Sequence, residues 1–269
     1  MKIAVCIKQV PTRDWQPRLD EARTWIREQD ASFEMNEPDA YALEEGLRLK
    51  EQHGGDVVVC SAGPSRVAQV LREALARGAD RAIHVASGVG SDRALAGADA
   101  YVVAGALAGA MRDEGFDLVL TGLQSDDQGS AQTGVVLAEM LGMSHATIVM
   151  EVQIDRAPGD DRGAGAPGVV RVKRELEGGW FQWVAMPLPA LLTIQSGINQ
   201  LRYATLKGIM GAKKKEIRQS LAPAAVAPKQ AIVALYAPEK SKKTQMITGA
   251  PAVAAKELVR RLREEARVI

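Results

Sequence analysis

The chain has 269 residues, 46% apolar and 25% charged, and its 34 Lys and Arg against 33 Asp and Glu leave a formal net charge of +1 at pH 7. That balance belongs to an ordinary globular protein and gives no basis for a charge-driven nucleic-acid or membrane binder. Two cysteines without a CxxC spacing, three histidines (His53, His84 and His145) scattered at what look like element ends, no bilayer-length apolar run and a start without signal-peptide character argue against a metal module, a His-based triad or a membrane-embedded chain, and a cytoplasmic location is expected.

In chain order, Lys2 to Gln9 reads as a first strand carrying Cys6, and Cys60 falls in the second, so both thiols are expected to pack. Asn36 stands where a helix N-cap belongs, Pro38 falls in the first turn, and Ala40, Leu43 and Leu47 repeat at helical spacing until Gly54 and Gly55. Asp56 to Ser61 is the next strand. A helix from Ser65 to Gly78, a strand from Arg81 to Val85, an Ala-rich helix near Ala98 to Met111 and a strand from Asp117 to Thr121 follow. A polar loop then opens a helix reaching Leu141, and Thr147 to Met150 reads as a fifth strand. This alternation is the pattern of a parallel sheet covered by helices on both faces.

Beyond it, Val169 to Leu176 and Trp180 to Met186 flank Gly178 and Gly179, a pair suited to a hairpin turn. Arg156 to Pro167 is Gly, Pro and Asp rich and reads as an exposed loop, and Leu188 to Ile194 as a last apolar strand. Residues 196–215 lack a clean period, Ser220 to Lys229 reads as an Ala/Pro linker, and Pro251 to Arg267 as an amphipathic helix that needs a partner or must pack back. The expected fold is α/β: a Rossmann-like parallel sheet with helices on both faces, an antiparallel hairpin addition and a C-terminal arm with a helix. The expected division is a body over 1–217 and an arm over 218–269.

Open parallel sheets bind ligands beyond the carboxyl ends of their strands. The segments there are Cys6 to Val10, Ala62 to Ser65, and Leu123, Gln124, Ser125, Asp126, Asp127, Gln128, Gly129, Ser130, Ala131, Gln132, Thr133 and Gly134. In the last, glycines and side-chain hydrogen-bonding groups precede a helix start, which suits either a phosphate seat or a plain capping loop. No GxGxxG follows the first strand and no P-loop motif occurs. Asp126 and Asp127 are adjacent on a loop without a neighbouring nucleophile, so capping or ribose hydrogen bonding is the simpler reading than acid/base catalysis.

From Met1 to about Ile217 the chain resembles the beta subunit of electron transfer flavoproteins. The resemblance is carried by Val172-Lys173-Arg174-Glu175-Leu176-Glu177-Gly178-Gly179 with Pro187, Pro189 and Thr193, and by Arg202-Tyr203-Ala204-Thr205-Leu206 with Ile209, Met210 and Ala212 to Lys215. It implies an electron carrier, not an enzyme in its own right. The partner would be an alpha subunit holding most of a redox-active FAD, with AMP as a structural ligand of this chain. By matched position the nucleotide site would use Cys6, Asn36, Glu37, Pro38, Asp39, Ala62 and residues 123–134. A recognition loop near 196–215, with Tyr203, Leu206, Ile209 and Met210, would dock an acyl-CoA dehydrogenase, and a membrane ETF:quinone oxidoreductase would take the electrons onward. Without the resemblance, Leu206 reads as a core residue and Lys213 to Lys215 as a solvated basic face.

The loop departs from the common pattern of three acids before Asn-Gln-Thr-Gly, and it also departs from the Asp-Gly-Asp-Thr-Ala-Gln-Val-Gly typical of electron-bifurcating members. Gln132-Thr133-Gly134 favours AMP; Ala131-Gln132 and Asn36-Glu37-Pro38-Asp39 are similar to the bifurcating group, whose members bind a second FAD here and oxidise NADH. A stand-alone adenine-nucleotide hydrolase or ligase is a third reading, disfavoured by the missing phosphate motif.

Overall fold

The computed structural model describes residues 1–87, 95, 97–155, 168–222, 227–238 and 244–269. They fall into two units, Met1–Ala234 and Leu235–Ile269. The segment 156–167, expected as an exposed loop, lies outside the described residues.

The first unit is built on a nine-stranded sheet in the order β11-β5-β4-β1-β6-β10-β7-β8-β9. Its strands are β1 (Lys2–Cys6), β4 (Asp56–Ala62), β5 (Arg81–Ala86), β6 (Leu118–Gly122), β7 (Ser144–Asp155), β8 (Val169–Glu175), β9 (Phe181–Pro187), β10 (Ala190–Ile194) and β11 (Ile217–Leu221). All neighbours from β11 to β7 run parallel, and β8 and β9 add antiparallel to β7. Gly178 and Gly179 take φ of 70° and 79° in the β8–β9 turn, as that turn requires.

The central strands are β-branched on both faces because helices cover both. Ile3, Val5, Val59 and Leu120 meet Leu43 and Leu47 of α1 (Glu37–His53) and Leu71 and Leu75 of α2 (Ala68–Arg77). The intervening positions Ala4, Val58, Ile83 and Val119 meet Leu107 and Met111 of α3 (Ala100–Met111) and Leu137 of α4 (Thr133–Leu141). Cys6 and Cys60 are buried free thiols on this second face, and burial pushes both above the usual thiol range.

Four expectations are corrected. The first strand ends at Cys6; Gln9–Pro11 forms β2, which pairs antiparallel with β3 (Phe33–Met35) as a separate ribbon, and residues 12–32 arch between them. His84 is not at an element end but buried inside β5. Residues 196–215 contain α5 (Leu206–Ala212), begun by Thr205, whose hydroxyl accepts from Gly208 N at 3.0 Å. Ser220 and Leu221 are not linker but the end of β11, which zips onto β5 from Ile217↔Ala82 to Leu221↔Ala86, across the expected boundary at 217.

The second unit carries α6 (Pro251–Glu264), where Arg260 bridges Glu257 and Glu264 at 2.8 and 3.0 Å. Val253, Leu258 and Val259 are exposed on it. No described helix is long and apolar enough to cross a membrane.

Candidate functional site

The chain builds β4 and β5 on one side of β1 and β6 on the other, so connections diverge where β1 and β6 lie side by side. That divergence opens a crevice above the strands' carboxyl ends. It encloses roughly 1110 Å³ of non-atom space, solvent at its mouth included, and Cys6, Ala62, Thr121 and Gly122 contribute to its lining.

Asp39, in the first turn of α1, ties this floor together. Its Oδ2 accepts from Lys8 N at 2.7 Å and its Oδ1 from Gly122 N at 2.9 Å, joining the ends of β1 and β6 to one helix start. Burial pushes its carboxyl up to about 7, against the pull of the two amides and of Asn36 and Lys8. Gly122 has to be glycine here, because a methyl would fall 2.7 Å from Pro38 Cβ and 2.8 Å from Asp39 N, and closer still to Asp39 Oδ1.

Asn36 occupies the N-cap position, but its side chain does not cap α1. It donates from Nδ2 to Gln124 O at 3.0 Å and accepts Asp126 N at 2.9 Å, stapling the 123–134 loop across the crevice. Lys8 Nζ reaches the same loop at Asp127 Oδ1 (2.6 Å) and Gln128 Oε1 (3.2 Å). Asp126 turns away to Arg13, so the two acids serve different partners and do not form an acid/base pair.

The loop runs into α4, whose N-cap residue Gln132 makes no side-chain capping bond, so the first-turn N–H groups lack that partner. Ala131 holds φ of +54°, a left-handed conformation that redirects the chain just before those amides. Gly134 lets this turn sit down on the sheet: a methyl there would meet Thr121 Oγ1 at 2.7 Å and Thr193 Cγ2 at 2.8 Å.

Of the nucleotide-site residues expected from sequence, Cys6, Asn36, Asp39, Ala62, Leu123, Gln124, Ser125, Asp127, Gln128, Ser130, Ala131, Gln132, Thr133 and Gly134 line the crevice. Glu37, Pro38, Asp126 and Gly129 are not part of the lining. Glu37 pairs with Arg13, Pro38 backs Gly122, and Gly129 closes a turn onto Ser125 O. Sequence reading missed the arch: Trp25, Ile26, Glu28, Phe33 and Arg66 also line the space. Arg66 lies 4.2 Å over the Phe33 ring and 3.3 Å from Glu28, whose Oε1 also accepts Trp25 Nε1 at 2.9 Å. Gln9 Oε1 and Arg66 Nε are buried there without a partner among the described residues. Arg66 comes directly after the inspected segment ending at Ser65, a signal within reach.

Elsewhere on the body, Tyr203 (92% exposed), Leu206 (75%), Met210 (65%) and Ile209 stand out on and before α5, so Leu206 is not a core residue. Lys215 is not solvated either: its ammonium donates to Leu75 O at 3.1 Å and to Ala79 O at 2.5 Å.

The family model of the electron transfer flavoprotein domain matches residues 24–225. The electron transfer flavoprotein subunit beta of Methylophilus methylotrophus is 38% identical over 275 residues, covering 98% of both chains. That of Thermoanaerobacterium thermosaccharolyticum is 40% identical over 220 residues, 81% of this chain and 77% of its own. The caffeyl-CoA reductase-Etf complex subunit CarD of Acetobacterium woodii is 37% identical over 220 residues, with the same coverage of 81% and 77%. On this match, spanning the crevice and α5 alike, the chain belongs to the electron transfer flavoprotein family as a beta subunit, an electron-carrier chain that pairs with an alpha subunit.

Proposed function

We propose that the crevice holds AMP as a structural ligand and that redox work is done by one FAD held mainly by the alpha subunit. Electrons would come from an acyl-CoA dehydrogenase and pass to a membrane quinone oxidoreductase. The observation that carries the reading is the uncapped start of α4 beside Ser130 and Thr133, set over a floor of Cys6, Ala62 and Gly122. This donor set fits a phosphate at the amides and a flat base among small apolar side chains.

FAD supplies the one- and two-electron chemistry when bound. This chain's own residues position and exclude: Asp39 and Asn36 fix the crevice, and Tyr203, Leu206, Ile209 and Met210 offer an apolar anchor for brief docking of the dehydrogenase.

A second reading, a bifurcating flavoprotein that oxidises NADH with a second FAD in this chain, draws on the space beyond the phosphate seat. That end of the crevice is walled by Trp25, Phe33 and Arg66, and Gln9 Oε1 and Arg66 Nε there have no partner among the described residues. Nucleotide extraction from the purified heterodimer decides. One FAD with one AMP is expected; two FAD and no AMP would support the bifurcating reading over the shuttle, and no adenine nucleotide beyond one FAD would defeat both readings.

A further inference from the structure

Segment 196–215 has almost no core of its own: of its apolar side chains only Ala212 is fully buried, and the large ones of α5 are exposed. Ile198 and Leu201 pack partly against the core of the body near its start, and beyond them its shape depends on the bonds made to it by the body. These converge on its two ends.

At the entry, Arg202 lays its guanidinium across α1. Its Nε and Nη2 donate to Glu44 at 2.8 and 2.9 Å, its Nη1 to Glu51 at 2.6 Å, and its backbone N to Glu44 at 3.2 Å. Glu44 is only 5% exposed, so the two guanidinium bonds to it are shielded from water, whereas the Glu51 bond lies at the surface. Asn199 adds bonds to Glu45 at 3.0 Å and Tyr41 O at 3.1 Å. At the exit, Arg72 of α2 donates from Nη1 to Ala212 O and Lys215 O, both at 2.6 Å. These carbonyls stand at and just past the C-terminal end of α5, where the helix ladder has ended and Ala212 O otherwise accepts only the Lys215 amide, at 3.3 Å. Between the clamps α5 lies directly on α2, with Gly208 against the Ala76 carbonyl.

We infer that Arg202 and Arg72 are positioning residues that hold segment 196–215 in the one conformation presenting Tyr203, Leu206 and Met210 together. The inference rests on the docking role proposed above for that segment. A partner then meets a surface already formed and does not have to order a mobile loop on contact. The helix that receives Arg202 is also the one whose first turn carries Asp39, so the docking segment and the crevice share one rigid element.

The test uses the FAD-loaded heterodimer with an acyl-CoA dehydrogenase, kept reduced by its acyl-CoA, as electron donor. Arg202→Ala and Arg72→Ala should raise KM for the heterodimer about tenfold while leaving kcat within about twofold, since ordering costs fall on binding and not on the electron-transfer step. Hydrogen exchange should quicken at the amides of 206–212 and not in β1 or β6, and Arg202→Lys, which keeps the charge but loses the fork, should recover part of the KM. Unchanged exchange at 206–212, or faster exchange with an unchanged KM, overturns the inference. If Arg202→Ala does not fold, Glu51→Ala removes the exposed half of the clamp under the same two readouts, with a smaller rise expected. Leu206→Ala separates the premises: an unaltered KM in that variant defeats the docking role itself, whereas a raised KM there with an unaltered KM in the clamp variants defeats only the inference.

Discussion

The crevice and the docking segment are both places where the chain comes unusually close to itself, and they solve opposite problems. At the crevice, backbone meets backbone: Gly122 and Gly134 let α1 and α4 press onto the strand ends, and Asp39 bonds two amides from different strands. The apolar side chains there point inward and the hydrogen-bonding groups of α4 are left open. At segment 196–215, Arg202 reaches carboxylates of α1, Arg72 of α2 reaches carbonyls at the end of α5, and the large apolar side chains of α5 point outward. On the roles proposed above, the ligand site is made by removing side chains, and the docking surface by pinning a loop so that its apolar side chains stay exposed.

The sharpest break of that contrast comes from adding one methyl to each region. In Gly122→Ala the new Cβ meets a helix start and a buried carboxylate, none of which can swing aside, so a loss of about 3 kcal/mol is expected. The denaturation midpoint should fall and the heterodimer should purify without its crevice nucleotide. In Gly208→Ala the Cβ runs into the Ala76 carbonyl, and α5 can lift from α2 at its clamped ends. The nucleotide should stay and only docking should weaken. Nucleotide loss in both variants, or in neither, would erase the distinction between the two regions.

The two regions were unequally legible in sequence for a physical reason. Strands buried on both faces must be apolar, and helices covering them must be amphipathic, so the alternation from Lys2 to Leu141 announced a parallel sheet and the strand-end rule pointed to the 123–134 loop. What local pattern cannot carry was missed. β11, with Arg218, Gln219 and Ser220, lies at a sheet edge where burial is partial and alternation faint. Ala190–Ile194 read correctly as a strand, yet its insertion between β6 and β7 is a long-range choice. The arch over 12–32 has no period, and the wall that its Trp25 and Glu28 make with Phe33 of β3 is closed by Arg66, which meets it from beyond β4. Leu206 reads as a core residue from local pattern alone; only the family resemblance put it outside.

A gentler probe of the crevice is its pH response. The folded-state pKa of Asp39 is raised from 3.8 to about 7, so between those values the folded state binds the extra proton. Its contribution to stability is therefore fully present below about pH 4 and is lost as pH rises through about 7, with a slope of at most about 1.4 kcal/mol per pH unit. Other carboxylates titrate too, Glu45 raised by burial and Glu114 lowered by Lys2 and Arg81, so the measurement is a difference. Urea unfolding from pH 5 to 8 should show wild type losing ground steadily relative to Asp39→Asn. Parallel curves would mean that Asp39 is ionised in the folded state throughout, held by its two amides.

The smallest expected effect tests whether the crevice loop is shaped before a ligand arrives. Ala131 sits at φ +54°, where a Cβ costs about 1 kcal/mol and glycine costs almost nothing. Ala131→Gly relieves that strain, but the freer unfolded chain gives back a similar amount, so net stability should move by less than about 0.5 kcal/mol. Binding should respond differently. With alanine in place the left-handed kink that aims the first amides of α4 is fixed by the surrounding fold; with glycine the loop samples other shapes, and release of crevice-bound AMP should quicken a few-fold, read by exchange with labelled AMP. The docking segment has no such position, since its described residues with positive φ reduce to Gly197. A rigid, strained loop on one side and a clamped but unstrained one on the other predict that a glycine placed at Ala204 will leave AMP release untouched, whereas the same change at Ala131 will not.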